Sequence, residues 1–88
     1  MSEAVRFKKE GVLAGFPDLI LPTPRHGFHS LAIELKRRKG ASSRVSNNQV
    51  DWIKYLTQQG WYACVCYGAD EAIIKLEWYL RPEVKLTP

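Results

Sequence analysis

Only two cysteines and two histidines occur in the 88 residues. Cys64 and Cys66 are one residue apart in an apolar segment, so on a strand their side chains run parallel on one face, and a disulfide between them would be strained. They read as reduced core thiols in a reducing compartment. His26 and His29 combine with them in no standard zinc spacing, which leaves the histidines as surface or packing residues. Long apolar runs are also missing: nothing approaches the roughly 20 residues of a membrane span, and Met1 to Glu10 mixes charged with apolar residues where a signal peptide would be apolar. A soluble, cytoplasmic protein without membrane contact is expected. There is no glycine-rich phosphate loop, no Ser/His/Asp set, no internal repeat and no low-complexity segment.

What is present suits one small packed domain spanning residues 1–88. The chain is 45% hydrophobic and 11% aromatic, which argues for a core and against disorder, with a length near the lower limit for a self-supporting one. The net charge of +4 is modest, but its placement is not even. Arg25 and the run Lys36, Arg37, Arg38, Lys39 and Arg44 carry six of the thirteen basic side chains. These residues form the candidate nucleic-acid surface, although a solvated loop explains such a run equally well.

Local patterning predicts helix, strand, strand, helix, strand, helix. Ser2 to Glu10 reads as a short helix stopped at Gly11. Asp18-Leu19-Ile20-Leu21 is a short strand bounded by prolines. Phe28 to Lys36 is a second, with Leu31, Ile33 and Leu35 on one face and Ala32, Glu34 and Lys36 on the other. Arg37 to Ser43 is a basic loop. Ser46-Asn47-Asn48-Gln49 is a capping-box pattern opening a helix whose Gln49, Trp52, Ile53 and Leu56 share a face until Gly60. Trp61 to Tyr67 is apolar on both faces, which predicts a central strand. Asp70 is expected to cap a last helix bearing Ile73, Leu76 and Leu80, ended by Arg81-Pro82. The fold class is α/β, a small mixed sheet flanked by helices.

Chemistry concentrates where the first two strands begin and end. Glu34 and Lys36, two apart on one strand, project from the same face. An antiparallel hairpin would bring Asp18, at the start of the first strand, beside the end of the second. Two adjacent carboxylates repel unless a proton or cation intervenes, and hard oxygen donors suit Mg²⁺ or Mn²⁺. The bland alternative is a turn aspartate and an exposed Glu/Lys pair. The ordered combination with a basic loop and a capped amphipathic helix favours a site.

Gly15-Phe16-Pro17-Asp18-Leu19, then Ile33-Glu34-Leu35-Lys36, then Gln49-x-x-Trp52, resembles the PD-(D/E)xK nuclease superfamily. Within it the pattern is similar to the VRR-NUC family, which includes stand-alone phage and bacterial members and the nuclease domain of the Fanconi-associated nuclease. The resemblance covers about Glu3 to Leu80. It implies a restriction-endonuclease-like fold and Mg²⁺- or Mn²⁺-dependent cleavage of DNA. For stand-alone members it also implies a homodimer acting on branched DNA such as Holliday junctions. Residue by residue, Asp18, Glu34 and the Leu35 carbonyl become metal ligands, and Asp18, Glu34, Lys36 and Gln49 the catalytic set. Gln49 also occupies the third helical position of the capping box, where it could simply bond the backbone at Ser46. Many relatives add an acidic residue from a further N-terminal helix; Glu3 and Glu10 are the candidates to replace it here, and neither aligns securely with that motif. A non-catalytic DNA-binding or assembly module with an incomplete site is therefore the competing expectation. The residues themselves do not separate DNA from RNA as substrate.

Overall fold

The computed structural model describes residues 13–38 and 44–82. The expected helix over residues 2–10, with Glu3 and Glu10, and the loop residue Lys39 lie outside them. Strand β1 (Leu19–Leu21) pairs antiparallel with β2 (Leu31–Lys36), and β2 pairs parallel with β3 (Tyr62–Tyr67), in the order β1-β2-β3. Helix α1 (Asn47–Gln58) makes the crossover between the parallel strands, and α2 (Ala69–Leu80) follows β3. A tight hairpin and one helical crossover yield the mixed sheet that the patterning implies. No helix among the described residues is long and apolar enough to cross a membrane.

The faces divide as the alternation of β2 requires. Leu31 and Ile33 join Cys66, Ala72 and Tyr79 in a buried cluster under α2, with Leu21, Tyr62, Cys64 and Leu76 packed against it. Ala32, Glu34 and Lys36 face α1, where Leu56 is buried. Tyr79 is fully buried, and its hydroxyl donates to the Thr23 carbonyl at 2.7 Å. The phenol thus brings its apolar bulk into the core without leaving a polar atom unpaired.

Four expectations need correction. The second strand begins at Leu31, not Phe28. The chain first closes a tight turn, Arg25 paired with Phe28, through His26 at φ 53 and Gly27 at φ 84, and His29 then donates its N–H to Gly60 instead of to β1. Among the described residues the strand over Tyr62–Tyr67 lies at the sheet edge and β2 is central; its two apolar faces reflect a helix on each side. Asp70 does not cap α2: Gly68 is the N-cap and makes no side-chain cap bond. The face of α2 that packs is Ala72, Leu76 and Tyr79, while Ile73 and Leu80 are 53% and 46% exposed.

The turn before β1 is pressed against the start of α1. Gly15 has φ +84, and a Cβ built on it would lie 2.6 Å from the Asn48 Cβ. Phe16 meets Trp52 edge to face at 4.8 Å. Gly15→Ala is therefore expected to cost about 1–3 kcal/mol through backbone strain and the clash, measured by chemical denaturation.

Candidate active site

Three elements deliver the site. In the β1–β2 register Leu19 opposes Ile33, so the residue before Leu19 comes to lie beside the one after Ile33. Asp18 is fixed there by the backbone of β2, since the Leu35 N–H donates to its Oδ2 at 2.8 Å. In an extended strand the N–H and C=O of one residue point the same way, so the Leu35 carbonyl is also directed to this side. Lys36 Nζ lies 3.9 Å from Glu34 Oε2, with both side chains largely buried.

Helix α1 brings the fourth member. The Ser46 hydroxyl accepts from the Gln49 N–H at 3.2 Å, and the Ser46 N–H donates to Gln49 Oε1 at 2.8 Å. The other end of the same amide donates to Glu34 Oε2 at 3.0 Å. Capping and contact with the carboxylate, weighed as alternatives from the sequence, are both made, because a carboxamide has an acceptor and two donors to divide between them.

Glu34 is only 4% exposed. Burial and the Asp18 carboxyl beside it push its pKa up to about 7, against the opposing pull of Lys36. Glu34 Oε1 is buried with no hydrogen-bond partner among the described residues. An orphaned carboxylate oxygen beside a second carboxylate is costly unless a proton or a cation satisfies it. Two carboxylates and a carbonyl are hard oxygen donors of the kind that Mg²⁺ or Mn²⁺ takes. The residues present fit such an ion, with the remaining positions left to water and phosphate.

The raised pKa has a measurable consequence in metal-free protein. Since the folded-state value lies above the ordinary 4.5, the contribution to stability is fully present below about pH 4.5 and is lost as pH rises through about 7. The stability of metal-free protein is expected to fall by up to about 3 kcal/mol over that interval. Denaturation at several pH values in a chelating buffer checks this, and adding Mn²⁺ is expected to flatten the profile.

The basic residues divide. Arg37 and Arg38 continue β2 beyond Lys36 and are exposed, and Arg44 lies just before the Ser46 cap, so all three are at the site's end of the sheet. Arg38 donates to Asp70 at 2.9 Å in a largely exposed pair, a contact worth little and readily exchanged. Arg25 sits in the hairpin turn at the opposite end, about 16 Å of strand away. His26 stacks on Trp78 at 4.5 Å. Among the described residues no group of three or more His, Cys, Asp and Glu side chains converges. The Leu35 N–H that anchors Asp18 was not singled out by side-chain pattern, because only the strand register reveals it.

The family model of the VRR-NUC domain matches residues 2–70. A solved structure described as a VRR-NUC domain protein superposes with a TM-score of 0.73 at 36% identity, covering 91% of this chain. The chain spans 64% of the length of that protein. Among curated proteins nothing matches.

Proposed function

The chain belongs to the VRR-NUC domain family, a nuclease-type domain that acts on DNA, and on that premise we propose that it is a metal-dependent endonuclease selective for branched DNA. The observation that carries the reading is the convergence of Asp18, Glu34, Lys36 and Gln49, with one Glu34 oxygen buried and unpaired.

In this reading Asp18, Glu34 and the Leu35 carbonyl hold Mg²⁺ or Mn²⁺, whose chemistry is to acidify a water and to neutralise charge on the attacked phosphate. Asp18 is kept in place by the Leu35 N–H and Glu34 by the Gln49 amide, so the donors need little rearrangement. Lys36 orients the attacking water and stabilises the negative charge that develops on the phosphate. Arg37, Arg38, Lys39 and Arg44 contact the sugar-phosphate backbone without reading bases. Arg25, at the far end of the sheet, would meet a separate stretch or arm of the substrate. A homodimer is part of the proposal, since so small a core gains from a second subunit.

Labelled four-way junctions, linear duplexes and single-stranded RNA of matched length, each incubated with Mg²⁺, test the substrate class. Preferential cutting of the junction is expected. Equal cutting of the linear duplex removes the structure selectivity, and cutting of the RNA alone removes DNA as the substrate.

A further inference from the structure

Of the Phe, Trp and Tyr side chains among the described residues, Tyr55 alone is exposed, at 52%. It is not a loose surface ring. Tyr55 stands perpendicular to Trp52 at 5.9 Å, and Trp52 stands perpendicular to Phe16 at 4.8 Å, an edge-to-face ladder that holds the rings in place. Phe16 lies two residues before Asp18, and Trp52 lies one helical turn after Gln49. The ladder is thus built on two of the segments that carry the site.

Tyr55 lies about 9 Å along α1 from Gln49, and helical side chains lean toward the helix N-terminus, so its ring is inclined back toward the Glu34 cluster. Strand β1, which follows the Phe16 turn, adds a second exposed apolar group. Ile20 is 43% exposed and pairs with Ala32, which faces α1, so its side chain stands on the α1 side of the sheet. Beside the ring along the helix are Asp51, one turn before Tyr55, and Asn48, two turns before it, both exposed. A carboxylate at this place disfavours a phosphate. Together Asp51 and Asn48 offer acceptors and donors to the edge of a base.

We propose that Tyr55 stacks on an unpaired nucleobase next to the phosphodiester held at Asp18 and Glu34. The inference rests on the nuclease reading above and gives its selectivity for branched DNA a physical source. A base inside a duplex has no free face to offer, whereas a strand that leaves the duplex at a branch does. Stacking makes no demand on base identity, because every base has a π-face. A ring already held by Trp52 gives up little freedom on binding. Continuity with a site for phosphodiesters, together with the hydrogen-bonding groups of Asn48 and Asp51, favours a base over an apolar segment of protein as the occupant.

Fluorescence of 2-aminopurine placed at the fork of a splayed DNA duplex reports the contact, with Ca²⁺ replacing Mg²⁺ to hold back cleavage. The wild type is expected to quench it. Tyr55→Ala is expected to abolish the quench and to weaken binding of the fork by at least about fivefold. Tyr55→Phe is expected to keep the quench and an affinity within about twofold of wild type, since the stacking ring remains. A fully paired duplex is expected to bind Tyr55→Ala as it binds the wild type. Unchanged quench and affinity in Tyr55→Ala overturn the stacking site, while cleavage by the same samples in Mg²⁺ leaves the nuclease reading intact. Equal loss of affinity for fork and duplex also overturns it. So does a Tyr55→Ala protein that loses stability in chemical denaturation but binds the fork normally, because the ring is then covered by protein. A wild type that quenches the fork but never cleaves in Mg²⁺ overturns the nuclease reading and keeps the stacking site.

Discussion

Glu34→Gln is expected to give a protein that is more stable than the wild type in the absence of metal and that no longer cleaves DNA. Glu34 is nearly inaccessible, has one oxygen without a partner, and has its pKa pushed up to about 7. The charged form is therefore strained in metal-free protein above that pH. An amide keeps the shape, accepts from Gln49 as the carboxylate does, and offers an N–H toward Asp18. At pH 8 the gain is expected to be up to about 3 kcal/mol, read from denaturation in chelating buffer. The same change removes a negative ligand, and cleavage is expected to fall by at least about 10²–10³-fold, the range seen when a preorganised site loses one stabilising group. Such opposed effects on stability and activity distinguish a site carboxylate from a structural one, whose loss would lower stability.

Lys36→Ala is expected to separate metal binding from chemistry. Its ammonium lies 3.9 Å from Glu34 Oε2 and is the charge that opposes the rise in the Glu34 pKa. Cleavage is expected to drop by about 10²–10⁴-fold, the contribution of a positioned proton-transfer or charge-stabilising group. Calorimetric binding of Mn²⁺ is expected to persist, because Asp18, Glu34 and the Leu35 carbonyl remain. In metal-free protein the pH at which stability is lost should move upward, since Glu34 holds its proton more tightly without the cation beside it. Cleavage within threefold of wild type would remove Lys36 from the chemistry.

The site was more legible in the sequence than the packing around it. Two-residue alternation put Glu34 and Lys36 on one face, and antiparallel pairing put Asp18 beside them; both follow from local geometry and appear as such in the register. The capping box at Ser46 also held. Position within the sheet was not readable, because an apolar strand covered by a helix on each face has the same pattern at the edge as in the centre, and β3 lies at the edge among the described residues. The cap of α2 was misplaced for a related reason: Asp70 is a good capping residue, but Gly68 at φ 90 makes the turn from strand to helix and places Asp70 in the first turn. Ile73 and Leu80 looked like core by hydrophobicity alone. Ala72 and Tyr79 fill the space under the sheet instead, and that choice depends on the rotation of α2, which is set by tertiary contacts.

The central claim is that Asp18 and Glu34 hold a divalent ion that makes this cluster a nuclease. Cleavage of a labelled four-way junction by wild type and Asp18→Ala, each with Mg²⁺ and with chelator, tests it most directly. Strand scission is expected only for the wild type with Mg²⁺. Undiminished scission by Asp18→Ala, or by the wild type in chelator, would contradict it.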